Sequence, residues 1–216
     1  MLAHLAALYR PWIDRWYLVA RPQDREAIAA ACRDLDLPAD VHVQPSPIGM
    51  LDAVLRPLEA IAAAPPDTVW ITWCDQVAIR PATLARVAAA QDTTPMPAVT
   101  LPTSVQAEPY IHLARDGAGR ITQVLHRREG DAMPARGETD AGLFALSGDA
   151  YLRDLPRYAG EPAALGARTG ERNFLPILAW FEGRGGVAAV PCGEDETMGV
   201  NTPADLARVE RDLSQR

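Results

Sequence analysis

Residues 69–79 read V-W-I-T-W-C-D-Q-V-A-I. The first five are apolar or β-favouring, the composition of a short strand, and then Cys74 and Asp75 break the run. A buried strand does not accept a lone carboxylate, so the strand ends here and Asp75 stands at its carboxyl end. Pro65-Pro66 precede the strand, and P-A-T-L-A-R-V-A-A-A, from Pro81, follows it with a helical pattern.

The same alternation extends outward in both directions. Leu2, Leu5, Leu8 and Tyr9 recur at helical spacing until Pro11, which predicts an opening amphipathic helix. W-Y-L-V-A, Trp16 to Ala20, reads as a buried strand, and the segment from Pro22 as a helix with Pro and acids in its first turn. Val41 to Gln44 is a second short strand, and from Gly49 a helix runs on with a kink at Pro57. Strands alternating with helices of this length predict parallel βαβ units and a doubly wound sheet. Tyr110–Ala114 and Arg120–Leu125 flank D-G-A-G, so an antiparallel hairpin leaves the core around residues 109–127. Ala141–Ser147 returns to the sheet, Phe174–Phe181 is helical despite Pro176, and Val187–Pro191 is a last strand. Pro203, after Asn201-Thr202, opens a closing helix. With no internal repeat and no long linker, residues 1–216 are expected to form a single α/β domain with a Rossmann-like, doubly wound mixed sheet.

The formal charge is −7, and all 21 basic residues are Arg, since the sequence holds no Lys. That balance speaks against a nucleic acid or an anionic membrane as partner, because phosphate-backbone binding needs clustered positive charge. It leaves a single small phosphate compound open as a ligand. Cys32, Cys74 and Cys192 are odd in number and far apart, as expected of reduced thiols in a cytoplasmic protein. The N-terminus lacks the basic start of a signal peptide, and the apolar runs are much shorter than a membrane span.

In an open α/β sheet, ligands bind beyond the carboxyl ends of the strands. Asp75 lies at such an end, and Asn201 stands just before a helix, so both are expected to face one crevice. A carboxylate with an amide oxygen suits magnesium, which takes one or two protein oxygens and keeps waters and substrate phosphates at its other positions. Taken singly, Asp75 reads as a loop residue and Asn201 as a helix cap. A third piece, Q-P-S-P-I-G-M from Gln44 to Met50, places Gly49 where backbone amides can approach a base or phosphate.

Together these pieces resemble the sugar nucleotidyltransferases, especially the N-acetylglucosamine-1-phosphate uridylyltransferase type and its MobA-like relatives, over nearly the whole chain. Q-P-S-P-I-G-M is similar to the family's Q-x-x-x-x-G-T, which reads the base, and W-C-D, Trp73 to Asp75, to Y-G-D, whose Asp holds magnesium. D-A-G-L-F-A-L, from Asp140, resembles the sugar-contacting N-T-G-I strand, and G-E-R-N-F-L-P, from Gly170, the G-E-Y-Y-L-T-D helix start. M-G-V-N-T-P-A-D-L, from Met198, is similar to G-V-N-x-x-x-x-L, whose Asn is the second metal ligand. The resemblance implies magnesium at Asp75 and Asn201, nucleotide binding at Gln44, Gly49, Met50, Trp73 and Cys74, and acceptor binding at His112, His126, Asp140, Gly142 and Glu171.

The departures carry information too. Met50 replaces a Thr, Cys74 a Gly and Asp140 an Asn, while Tyr110–Leu113 and Leu125–Arg128 lack a Gly and a Glu that contact the family's acceptor. The acceptor is therefore expected to differ from N-acetylglucosamine-1-phosphate. The family also opens on a strand and a glycine-rich loop, L-A-A-G-x-G-T-R-M, that cradles the triphosphate, whereas this sequence starts at the equivalent of a later P-M-L-x-H. The comparison implies a missing first strand, an internal origin for Met1 and weak activity of the short chain.

His4 and His42 read as structural, while His112 and His126 lie on the hairpin where an acceptor contact is an even alternative. Arg127-Arg128-Glu129 reads as a solvated turn or as a phosphate contact. Ser147 lacks a nucleophile's context and reads as a cap, and Trp70 and Trp73 as packing. The function expected is transfer from a nucleoside triphosphate to a small phosphorylated acceptor with release of pyrophosphate. A non-catalytic nucleotide or sugar-phosphate binding module is the alternative, and an α/β domain with purely structural Asp75 and Asn201 a third.

Overall fold

The computed structural model describes residues 1–214. Helix α1 (Leu2–Tyr9) leads into strand β1 (Trp16–Ala20), helix α2 (Arg25–Asp34) and strand β2 (Ala39–Val43). Helices α3 (Met50–Leu55) and α4 (Leu58–Ala62) are separated at Pro57, where the proline kink was expected. Strand β3 (Thr68–Thr72) and helix α5 (Pro81–Gln91) follow, then β4 (Val99–Ala107), the hairpin β5 (Ile111–Arg115) and β6 (Ile121–His126), β7 (Arg136–Asp140) and β8 (Leu143–Ser147). Helices α6 (Leu155–Tyr158) and α7 (Ile177–Glu182), strand β9 (Val187–Pro191) and helix α8 (Pro203–Ser214) complete the order.

The architecture is the expected mixed α/β class, with fewer parallel pairs than the βαβ pattern predicts. β1 and β2 pair in parallel as a separate two-stranded sheet. In the larger sheet β8 runs antiparallel to both β3 and β4, and β9 is parallel to β4. Hence β3, β4 and β9 all point the same way, and their carboxyl ends share one edge.

β4, the strand in the middle of this sheet, has no clear signature in the sequence, because V-T-L-P-T-S-V-Q-A mixes hydroxyls and a proline into its run. The proline is accommodated by a bulge. β4 pairs with β8 at Val99 and Thr100 and with β7 from Thr103 onward, and the residues between are out of register. Pro102 faces this interruption, where its carbonyl accepts the Ala141 N–H at 3.0 Å and no ladder donor is lost.

Successive residues of β8 serve two cores. Phe144 and Leu146 join the layer formed with α3, α4, α6, α7 and the hairpin, whereas Leu143 and Ala145 join the layer under α1, α5 and α8. A strand buried on both faces is apolar throughout, which is why A-G-L-F-A-L-S is legible without alternation. Among the described residues, no helix is long and apolar enough to cross a membrane.

Candidate functional site

Asp75 follows β3 at the shared carboxyl edge and is half-buried. Its backbone carbonyl accepts the Val200 N–H at 3.0 Å, which ties the loop after β3 to the loop before α8. A Cβ on Gly199 would lie 2.9 Å from Gln76 Nε2, 3.1 Å from Asp75 Oδ2 and 3.4 Å from Asn201 Nδ2. Three polar side chains thus converge on one glycine, and any larger residue there would displace them. Asp75 and Asn201, far apart in sequence, are brought together as expected. Among the described residues no cluster of three or more His, Cys, Asp or Glu forms, a requirement of many metals but not of magnesium.

The loop carrying Asn201 is held by Glu196, a buried carboxylate that the sequence reading missed. It accepts the Arg80 N–H at 2.8 Å and the Thr83 hydroxyl at 2.6 Å at the start of α5. Its other oxygen accepts the Gly193 N–H at 2.9 Å, while the Glu196 N–H donates to Gly193 O at 3.0 Å, which closes the turn G-E-D-E.

Asp140 and Gly142 form the bend between β7 and β8. The Asp140 carboxylate accepts the Gly142 N–H at 2.8 Å, and burial pushes its pKa upward against that bond. Gly142 has φ +71°, and a Cβ on it would meet Gln76 Cγ at 2.4 Å and the Trp73 ring at 2.9 Å. Its carbonyl faces the Trp73 N–H at 3.4 Å, so the bend sits against the Asp75 loop. Trp73 itself packs between Phe144 and Phe174 with ring centroids 5.8 and 6.0 Å away, and Cys74 beside it is exposed. The indole is core packing, as one of the two sequence readings had it.

The Gly49 loop is fixed from two sides. Gly49 has φ +124°, and a Cβ would lie 2.4 Å from the Arg172 nitrogen and oxygen, a close approach that only glycine permits. Ile48 O accepts the Arg172 N–H at 2.7 Å and Leu51 N–H donates to Arg172 O at 3.0 Å. The Gln44 amide is spent inside this loop, donating to Gly49 O at 3.0 Å and Asp52 Oδ2 at 2.9 Å. Burial raises the Asp52 carboxyl, but the Arg56 and Gln44 hydrogen bonds with nearby Arg172 more than offset it, leaving the pKa below its usual value.

Met50 and His126 line a cavity of about 150 Å³ together with Glu129, Asp131 and Asn173. Burial lowers the His126 pKa, which favours a neutral imidazole. His112 is set apart on β5, with Nδ1 3.0 Å from Glu138 O. Glu171 is engaged with Arg128, accepting from Nη1 at 3.0 Å and from Nη2 at 2.5 Å, and Arg127 binds Glu108 O at 3.1 Å. Glu129, in the segment that the sequence offered as a solvated turn or a phosphate contact, is a hub for the 168–173 loop. It accepts from Arg168 N at 2.9 Å, Thr169 N at 3.1 Å, Thr169 Oγ1 at 2.5 Å and Asn173 Nδ2 at 3.3 Å. The Thr169 hydroxyl and these backbone donors lower its pKa to about 2.

The mixed sheet, with polar loops gathered at one carboxyl edge, is a Rossmann-like α/β arrangement. A solved structure of CMP:2-keto-3-deoxy-manno-octonic acid synthetase complexed with CTP superposes with a TM-score of 0.65 at 15% identity, over 98% of this chain and 86% of that one. The family model of the MobA-like NTP transferase domain matches residues 1–142, and the chain belongs to that family. It is 31% identical over 219 residues to the bifunctional protein GlmU of Kineococcus radiotolerans, covering 99% of this chain and 40% of that protein. To the bifunctional protein GlmU of an Anaeromyxobacter species it is 31% identical over 184 residues, 83% of this chain and 36% of the relative. The chain thus spans less than half the length of these curated relatives.

Proposed function

We propose that the chain transfers a nucleotidyl group from a nucleoside triphosphate to a small phosphorylated acceptor, with magnesium held by Asp75 and Asn201, in the cytoplasm. The convergence of these two side chains on Gly199, at the carboxyl edge beside the Asp140–Gly142 bend, is the observation that supports it. Bound magnesium would neutralise charge on the phosphates as the new bond forms. An acceptor phosphate oxygen attacks the α-phosphorus, and the α–β bridging bond breaks with its electron pair leaving on pyrophosphate. The protein's share is positioning: Gly49, Met50 and Cys74 present the nucleotide side, with Gln44 and Trp73 bracing it, while Gly142, Asp140, His126 and His112 present the acceptor side. Glu171 serves the acceptor side through its ion pair with Arg128.

Pyrophosphate release across a panel of nucleoside triphosphates and sugar phosphates tests the reading. Asp75→Ala and Asn201→Ala are each expected to lower magnesium affinity by at least about 10–100-fold, the range for loss of even an outer partner of a metal. Turnover untouched by either substitution rules the proposal out. A binding module without turnover is favoured by one observation, the internal engagement of the Gln44 amide and the Glu171 carboxylate. Magnesium-dependent nucleotide binding with no pyrophosphate release under any pairing would select that reading.

A further inference from the structure

β2 is an end strand whose outer edge is open. Trp16 N–H donates to Pro38 O at 3.0 Å and Gln44 N–H to Ala20 O at 2.9 Å, so the even-numbered residues of this segment direct their backbone groups toward β1. The N–H and C=O groups of Ala39, Val41 and Val43 therefore point outward, away from β1, the one strand that β2 pairs with among the described residues. A groove of about 600 Å³ touches Ala39, Asp40, Val41 and His42 alike. Consecutive strand residues alternate between faces, so a groove that meets all four must run along the strand's edge.

The groove is walled by helix α2, which presents Arg25, Glu26, Ala29 and Arg33 in one stripe at helical spacing above the buried Cys32, and by Ala60 of α4. Within the groove, His42 carries a buried Nε2 with no hydrogen-bond partner. Asp40 gives Arg15 only one of its two oxygens, Oδ2, at 2.8 and 3.2 Å.

We propose that β2 is the seam of a symmetric homodimer in which two copies join their Ala39–Val43 edges antiparallel about Val41. The symmetry itself fixes the register. Val41 lies opposite Val41 of the second copy and Ala39 opposite Val43, so all three outward residues form hydrogen-bonded pairs. Asp40 then lies opposite His42 twice, a close, non-hydrogen-bonded pair that sets a carboxylate beside an imidazole ring. α2 packs over β1 and β2, so the axis brings the two α2 stripes together in antiparallel array. Glu26 at one end of each stripe then approaches Arg33 at the other end of its counterpart, with Ala29 allowing close approach between them. The open edge is thereby covered, and the Gln44–Gly49 loop that β2 leads into is braced from outside.

Sedimentation velocity over a concentration series tests this with two variants. Val41→Pro removes the central outward donor, a change a free edge strand tolerates. Asp40→Arg removes the seam carboxylate and sets a guanidinium opposite each imidazole, at a position whose side chain is 42% exposed within one copy. The wild-type chain is expected to dimerise, with both variants folded by circular dichroism and shifted at least about tenfold toward monomer. Asp40→Arg combined with His42→Glu restores opposite charges across the seam and is expected to restore the dimer. A wild-type monomer at every concentration, a dimer indifferent to both variants, or a groove that binds unrelated extended peptides while the chain stays monomeric overturns the proposal.

Discussion

Asp75 leaves a strand that is otherwise apolar or hydroxylic, and a carboxylate at that position is stable only because β3 ends before it. Its value to the molecule comes from what meets it: Val200 pins its carbonyl, and its side chain shares the approach to Gly199 with Gln76 and Asn201. Glu129 shows the opposite case, a residue whose role is holding backbone. Four donors lower its pKa from 4.5 to about 2. A depressed carboxyl contributes stability that is complete above the unfolded value and is lost as pH falls toward the folded one. Thermal melts are therefore expected to lose stability from pH 4.5 down to 2 in the wild-type chain, and Glu129→Gln to show a flatter profile over that window. Glu129→Ala, which strands the 168–173 donors, is expected to cost on the order of 1–2 kcal/mol. Identical acid profiles for the wild-type chain and Glu129→Gln would refute this assignment.

At the level of elements, the sequence reading of the Gly49 segment as strand, loop and helix is matched by β2, the loop and α3, and Pro57 marks the break before α4. The glycine matters more than helix entry alone requires. Its φ of +124° is open to few other residues, and a side chain would collide with Arg172 backbone at 2.4 Å. Gly49→Ala is thus expected to destabilise the chain by about 1–3 kcal/mol and to disturb nucleotide binding with it. An unchanged melting temperature would count against the close approach. β4 illustrates why a central element escaped the sequence. Its proline and hydroxyl residues argue against a buried strand, and only the bulge between β7 and β8 makes Pro102 harmless. β7, with Glu138 and Asp140 in a five-residue run, was hidden for a similar reason.

Across the molecule, β1 and β2 share no ladder with the larger sheet. The two parts are joined by side chains instead. Tyr9 meets Trp16 and Trp70 edge-on at 6.4 Å each, Trp12 stacks on Trp70 at 6.1 Å, and Tyr17 reaches the main core. Edge-on aromatic pairs contribute roughly 0.5–1.5 kcal/mol each beyond area burial, less than a shared ladder provides. Native-state hydrogen exchange is expected to show β1 and β2 opening as a unit at lower free energy than β3, β4 and β8. Uniform protection across all five strands would contradict that division.

By itself, the sequence determined the α/β class, most element positions and the family resemblance, and it gave the expectation that Asp75 and Asn201 face one crevice. These rest on periodicity, on turn and cap residues and on motifs read in order, all of which are local in the chain. Only the tertiary structure decided that Gln44 and Trp73 turn inward, that Glu171 pairs with Arg128, that Glu129 and Glu196 hold loops, and that β8 inserts antiparallel between β3 and β4. The open edge of β2 and the orphaned His42 are of the same kind. Each depends on which distant group a polar side chain meets when the chain closes, and no local pattern encodes that meeting.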